Sequence, residues 1–549
     1  MANIETVKYK ITMTMTKTNF HKNNNGKLKF AGGMMLTTGL ISAFSVRANA
    51  EAKVKVEKPN VIFILADDMG KGMISAYGQK IIKTPNMDKL VKLGVRFEMN
   101  YGCHYSAPAR SSLLTGYADT HKGHWNNPGT GRYCVADTSL IAPIEAELDK
   151  TIVNLDEDDE YLADVFNKAG YYTGEIGKLD YGFLCTRKQM KRHGWDYYYG
   201  YMDHKRCHGF YPPFLFDNGK IDMIYGNTRA DSGDVDFYYK GNIPFSERMD
   251  RKGKAVYSEF IFDQKISEFL DHHYDKPFFL YFPSQLPHGN VCVPAIDPSL
   301  ADEDGLTTVE KEYATMVLLL DQSIGKIIDK VEKLGIADKT IIVFSSDNGH
   351  EVYYDSYRTS QSHWLSGQKV DNCKYKFRSD KVGDVFNGNM GMAGKKRSNL
   401  DGGIHVPLTF YWPGHFEPYA CQELTNNYDF LATMADMLNV KINKNKTGIS
   451  YLKMLTDSTA RFPKDRYVLC DSKEGPAVVM NDGWKLRYDC VNGAYELYNV
   501  RTDFAEYHDV AADYPDIVKK LKKILYKNVS HTECRGIKFH GLKSEDREK

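Results

Sequence analysis

Almost no net charge, no CxxC pair, no internal repeat and no long apolar run beyond residue 50 mark this 549-residue chain. Lys and Arg number 72 against 71 Asp and Glu, a formal net charge of +1. Unspecific binding of polyanions is therefore not expected, and an anionic ligand would have to meet positive charge gathered locally. Ten cysteines, at 103, 134, 185, 207, 292, 373, 421, 470, 490 and 534, are scattered. Without a CxxC spacing they make a structural zinc site an unsuitable reading. The lack of a repeat argues against a solenoid. Hydrophobic content of 42% and charged content of 26% suit a folded globular chain. Its length suggests one large domain and at least one smaller one.

The start reads as targeting sequence. Lys27 and Lys29 precede the apolar run FAGGMMLTTGLISAF, and ANA at 48–50 is a small-x-small cleavage signal. A signal peptide over 1–50 is expected, with export to the periplasm. The run is too short and glycine-rich for a stable span, so no integral membrane segment is expected after cleavage. Cleavage removes seven of the 72 basic residues and one of the 71 acidic ones, leaving a mature chain about five charges negative. In an exported chain the cysteines can form disulfides, but their spacing does not say which pair.

Five apolar runs suit strands buried on both faces: NVIFILADD (60–68), YYTGEIGK (171–178), PFFLYFPS (277–284), TIIVFSSDNG (340–349) and VPLTFYWPG (406–414). Helical patterns at 86–94, 160–170, 256–273 and 309–335 alternate with them. The expected fold class is α/β, a large, mostly parallel sheet sandwiched by helices. Beyond about residue 450, short strands and a closing amphipathic helix predict a smaller α+β subdomain. The predicted organisation is a catalytic domain over 51–449 and a C-terminal subdomain over 450–549. Residues 196–250, rich in Tyr, Gly and Asn, read as a long insertion near the site. Ligands of such sheets bind beyond the carboxyl ends of the strands, where Asp67, Asp68, Asp347 and Asn348 fall. Their hard oxygens, without adjacent His or Cys, favour Ca²⁺ or Mg²⁺ over zinc.

SAPAR at 106–110, followed by SSLLTG, fits a Cys/Ser-x-Pro-x-Arg signature. With PNVIFILADDMG (59–70), TPNMDKLVKLGVRF (84–97), GEIGK (174–178), LPH (286–288), SDNG (346–349), DGGIHVP (401–407), WPG (412–414) and ELYNVRTDFAE (496–506), it resembles the type I sulfatases of the alkaline phosphatase superfamily. The likeness runs over nearly the whole mature length. Cys103 does not fit the signature, because Tyr105 and Ala107 stand where proline and arginine are needed, and it is read as a small buried residue or half of a disulfide. Ser106 does fit. The resemblance implies its oxidation to formylglycine (3-oxoalanine), whose hydrate offers one hydroxyl to attack sulfur and a second to expel sulfate. A plain serine would be left as a stable sulfate ester.

The resemblance also implies one divalent cation, Ca²⁺ by preference, held by Asp67, Asp68, Ser106, Asp347 and Asn348. Arg110 would support the hydrated aldehyde. Lys178 and Lys396 would bind sulfate, with Lys395 as an alternative register for the second. His288 would protonate the departing alkoxide. One position departs from the family: Asp180 stands where a histidine is usual, and it could act as the base, although its carboxylate would repel a sulfate. His104, His204 or His208 are candidates to replace that histidine. A loop at 200–219 loosely resembles one in sulfatases acting on galactose or N-acetylgalactosamine sulfates, so Asp203, His204, Arg206 and His208 are candidate sugar contacts alongside Asp180.

The expected function is an exported carbohydrate sulfatase that requires a radical formylglycine-generating enzyme for its serine. The partners are thus a sulfated carbohydrate and that maturation enzyme, with no nucleic acid. The rivals are a phosphodiesterase or phosphonate hydrolase of the same superfamily, and a non-catalytic sulfoglycan-binding protein with an unmodified Ser106.

Overall fold

The computed structural model describes residues 58–121, 159–180, 186–202, 206–228, 252–354, 376–379, 384–490, 492–530 and 532. The expected signal peptide lies outside them, as do Asp203 and His204. No helix among the described residues is long and apolar enough to cross a membrane.

The main sheet is built from β1 (Asn60–Ala66), β2 (Val95–Tyr101), β3 (Tyr172–Lys178), β4 (Tyr197–Tyr201), β5 (Phe214–Asp217), β6 (Lys220–Met223), β7 (Phe278–Pro283), β8 (Thr340–Ser346), β9 (Leu408–Tyr411) and β10 (Tyr419–Asn426). Its order is β10-β2-β9-β8-β1-β7-β3-β4-β5-β6. The central run β8-β1-β7-β3-β4 is parallel throughout. β9 runs against both its neighbours, and β5 and β6 close the far edge as an antiparallel pair.

The apolar runs are continuous because both faces of these strands are covered. Ile62, Ile64 and Ala66 of β1 pack into one core with the helices Pro85–Leu93, Ser258–His273 and Thr308–Lys333. Val61, Phe63 and Leu65 pack into another with the helices Ser106–Thr115, Leu162–Lys168 and Asp429–Met437. A strand's side chains alternate between faces, so burial of both removes the polar alternation that would otherwise mark it.

The expected irregular insertion over 196–250 does not hold for its described part, which forms β4, β5 and β6. Tyrosines in β4 hid the pattern: Tyr198 belongs to one core and Tyr199 and Tyr201 to the other, while the Tyr199 hydroxyl donates to Asp222 at 2.7 Å.

The C-terminal antiparallel sheet has the order β11 (Tyr467–Cys470), β12 (Ala477–Met480), β13 (Trp484–Asp489), β14 (Ala494–Asn499). The helix Pro515–Asn528 packs on it through Leu521 and Leu525, in a core shared with Met99, Tyr101 and Tyr428. Lys485 of β13 is fully buried, its Nζ 2.6 Å from Asp401 Oδ1 and 2.8 Å from Glu506 Oε1. It therefore links this sheet to the short helix Asp401–Ile404. Lys485→Ala should lower the unfolding free energy by about 3–5 kcal/mol, because two buried carboxylates lose their counter-charge. Urea denaturation of the two proteins measures the difference.

Candidate active site

The pairing of β1 with β8 sets Ala66 beside Ser346, so the two strands end together and release Asp67-Asp68 and Asp347-Asn348 side by side. The Asp68 amide donates to Asp347 Oδ1 at 2.9 Å. Asp68 takes a left-handed backbone (φ 64°), a conformation aspartate tolerates better than most residues. Gly349 has to be glycine, since a Cβ there would lie 2.0 Å from the Gly402 carbonyl oxygen.

Ser106 opens the helix Ser106–Thr115, and its Oγ donates to Asp67 Oδ1 at 2.5 Å. Arg110, one turn further, places Nη2 at 3.2 Å from Asp67 Oδ2 and 3.4 Å from Asp347 Oδ2. Lys178 ends β3 with Nζ 2.7 Å from Asp67 Oδ2. On the other side Lys396 Nζ lies 2.7 Å from Asp68 Oδ2 and 3.1 Å from His288 Nε2, which is itself 3.3 Å from Asp68 Oδ2. All of these groups are buried. Three carboxylates thus face two lysines and an arginine out of water.

This arrangement tunes each group. Burial opposes ionisation of Asp67, but Lys178, His288, Arg110 and Lys396 outweigh it and hold the carboxyl well below its usual range. Burial likewise opposes protonation of Lys178, and Asp67 overcomes it. Asp347 is pushed up to about 8, by burial first and then by the Asp67 charge. His288 is pushed down to about 4, by burial and then by Lys396. Its Nδ1 meets the Gly289 carbonyl, which keeps the ring proton there and leaves Nε2 to accept from Lys396.

The residues fit a divalent cation. Asn348 Oδ1 is buried with no hydrogen-bond partner, which is costly unless something electropositive meets it. Asp67, Asp68 and His288 each bring a ligand atom within 4.8 Å of the others. With Lys396 already on His288 Nε2, the oxygens of Asp67, Asp68, Asp347, Asn348 and Ser106 make the better set, one suited to a hard cation. A cation would also favour the ionised form of Asp347.

Other expected site residues lie elsewhere. Asp180 does not join the carboxylate group: it is buried, with Oδ2 2.7 Å from His193 Nδ1 and its amide on Glu175 at 2.7 Å. Arg206 is buried rather than turned outward, its guanidinium 3.9 Å over the Phe214 ring and bonded to the Phe214 carbonyl at 2.6 Å. His208, by contrast, reaches the site, its ring stacked on His288 at 4.3 Å and 4°. His104 faces Asp119 at 3.7 Å. Cys103 is a buried thiol whose pKa is raised well above the ordinary value by burial and then by Asp119. Lys395 pairs with Glu351, whereas Lys396 contacts Asp68.

Tyr353 was not foreseen. Its hydroxyl meets Asp68 Oδ2 and lies 3.1 Å from Lys396 Nζ. A tyrosine six residues past Asp347 has no periodicity or motif to single it out.

A family model described as Sulfatase matches residues 59–440. A second, described as N-sulphoglucosamine sulphohydrolase, C-terminal, matches residues 388–531. An N-acetylgalactosamine-6-O-sulfatase of Bacteroides thetaiotaomicron is 26% identical, over 92% of this chain and 99% of its own. The N-acetylgalactosamine-6-sulfatase of Homo sapiens is 27% identical, over 65% of this chain and 58% of its own. A solved structure from glycosaminoglycan metabolism in Bacteroides thetaiotaomicron is 22% identical with a TM-score of 0.62, over 86% of this chain and 99% of that one. It shares the fold, a large mixed, mostly parallel sheet between helices with a C-terminal antiparallel sheet.

Divalent cation should raise the melting temperature of the chelator-treated protein, since binding to the folded state alone stabilises it. Asn348→Ala should lose most of that rise, as followed by differential scanning fluorimetry. An equal rise in both proteins would remove Asn348 from the cation site.

Proposed function

The chain belongs to the sulfatase family, a sulfuric ester hydrolase, and we propose that it desulfates a carbohydrate using a formylglycine made from Ser106 beside a bound Ca²⁺. The observation that carries this reading is that Lys178 and Arg110 on Asp67, and Lys396 on Asp68, gather at the carboxylate to which Ser106, opening a helix, donates. The hydrated aldehyde would supply the nucleophile, and a bound cation would supply Lewis-acid chemistry that lowers the pKa of that hydroxyl. Asp67, Asp68, Asp347, Asn348 and residue 106 would hold that cation.

The remaining chemistry belongs to the protein's own side chains. Lys178 and Lys396 bind the sulfate and neutralise charge that builds on it, a contribution that grows in a water-excluded site. Arg110 orients residue 106 and keeps Asp67 ionised. His288, neutral, takes at Nε2 the proton that Lys396 Nζ donates there and passes it to the leaving alkoxide. Asp180 is committed to His193 and has no part in sulfate release on this reading.

The names of the relatives above support a galactose or N-acetylgalactosamine sulfate as the substrate. We further propose export to the periplasm after removal of residues 1–50, a catalytic domain over 51–449, a C-terminal subdomain over 450–549, and maturation of Ser106 by a radical enzyme.

Peptide mass spectrometry of active protein should find residue 106 two hydrogens lighter than serine. An intact serine in active protein would defeat the formylglycine reading and favour a direct phosphohydrolase. Lys178→Ala and Lys396→Ala should each lower kcat/KM on a sulfate ester by at least about a hundredfold. Lys395→Ala should instead act through stability, because it leaves Glu351 with one fewer counter-charge. If Lys395→Ala is the variant that loses turnover while its melting temperature holds, the assignment of the sulfate-binding lysine is off by one.

A further inference from the structure

Away from the site, the helix Pro515–Asn528 carries Lys519, Lys520, Lys522, Lys523 and Lys527 against a single acid, Asp516. Leu521 and Leu525 face the core. Lys519, Lys520, Lys523 and Lys527 are exposed. No described carboxylate forms an ion pair with any of the five. Lys519, Lys523 and Lys527 follow one another at i, i+4, so they share one face and span roughly 12 Å at 1.5 Å per residue. Like charges at that spacing destabilise a helix. One cation at the last turn suits the helix dipole, but that does not account for four more upstream. In a mature chain expected to be about five charges negative, this is positive charge gathered in one place.

Aromatic surface adjoins it. The Tyr526 hydroxyl, on the same helix, meets that of Tyr495 at 3.1 Å, and the Tyr495 ring lies 4.8 Å from Tyr488. Lys522 Nζ sits 4.0 Å over the Tyr495 ring. Tyr526 is 37% exposed and Tyr514, just before the helix, 45% exposed. Ammonium groups in a row with tyrosine rings beside them match a chain that presents sulfate groups at intervals along sugar rings. Lysine is a point charge that any sulfate oxygen satisfies, whereas planar bidentate recognition calls for arginine.

We propose that the exposed lysine face of the helix Pro515–Asn528, flanked by Tyr526 and Tyr495, is a second binding surface for a sulfated polysaccharide chain. It rests on the carbohydrate-sulfate reading for its choice of ligand and on no residue of the active site. By holding a polymer, it raises the local concentration of sulfate esters at the enzyme without any new contact at the reacting centre.

The test uses the full-length protein, chondroitin sulfate as the sulfated probe, and desulfated chondroitin and duplex DNA as controls. Wild type should bind chondroitin sulfate, with affinity that falls steeply as salt is raised. The combined variant K519Q/K520Q/K523Q/K527Q should bind at least about tenfold more weakly, with a melting temperature equal to or above that of wild type. Its kcat/KM on a small aryl sulfate should be unchanged. Ser106→Ala should bind the polymer as wild type does. Equal binding by the combined variant, no binding by wild type at low salt, or equal binding of duplex DNA or of desulfated chondroitin would each overturn the proposal. If the variant unfolds, K519E/K523E, which leaves the buried face and the other lysines untouched, replaces it with the same expected loss. A protein that turns over no sulfate ester yet loses polymer binding in the variant would refute the enzymatic reading and leave this surface standing.

Discussion

Three carboxylates, Asp67, Asp68 and Asp347, are buried within hydrogen-bonding reach of one another's surroundings, and the structure depends on what compensates them. Burying an unpaired charge is prohibitive. Lys178, Arg110 and Lys396 each bring a cation to within 3.4 Å of at least one of these oxygens. The same cations that make the carboxylates tolerable are those an incoming anion would meet. A divalent cation would take over part of that compensation, which would leave the lysine ammoniums open to an anion. Site chemistry and local stability are thus one electrostatic arrangement, and they cannot be altered separately.

The parallel sheet makes such a cluster affordable. β1 and β8 end in register, so Asp67-Asp68 and Asp347-Asn348, more than 270 residues apart in sequence, arrive together without a long loop to order. β3 delivers Lys178 at its last residue, and the helix Ser106–Thr115 brings Ser106 and Arg110 on one side of its first turns. Elements packed on both faces hold these ends rigidly, which is the condition for preorganised electrostatics. Lys396 and His288 come from irregular backbone. They are fixed by mutual contact, by Tyr353, and by the Lys395–Glu351 and Arg397–Glu351 pairs beside them.

Adjacent residues with the same chemistry show how much the tertiary structure decides. Lys395 and Lys396 look alike in the sequence, yet one neutralises Glu351 and the other lies on Asp68. Arg397, the next residue, has a left-handed backbone (φ 79°) and pairs with Glu351 as Lys395 does. Arg206 and His208, two residues apart, also diverge: Arg206 is folded onto Phe214, while His208 stacks on His288. Asp180, after a left-handed turn of its own, is drawn to His193 rather than toward Lys178's carboxylate partner.

The sequence by itself determined the strand–helix alternation, the strand ends that carry the acids, and the family whose signature contains Ser106 and Arg110. Those features are local: an apolar run of strand length, a residue at its end, a motif of five. It did not reveal β4 to β6, because tyrosines that belong to two cores and hydrogen-bond at their tips do not alternate as aliphatic residues do. It also did not reveal Tyr353, the choice between the paired lysines, or the burial of Asp180 and Arg206. Each of these depends on which partner lies across a gap of tens or hundreds of residues. A side chain's charge is written in the sequence, but the charge it faces is set only when the sheet brings distant strand ends together.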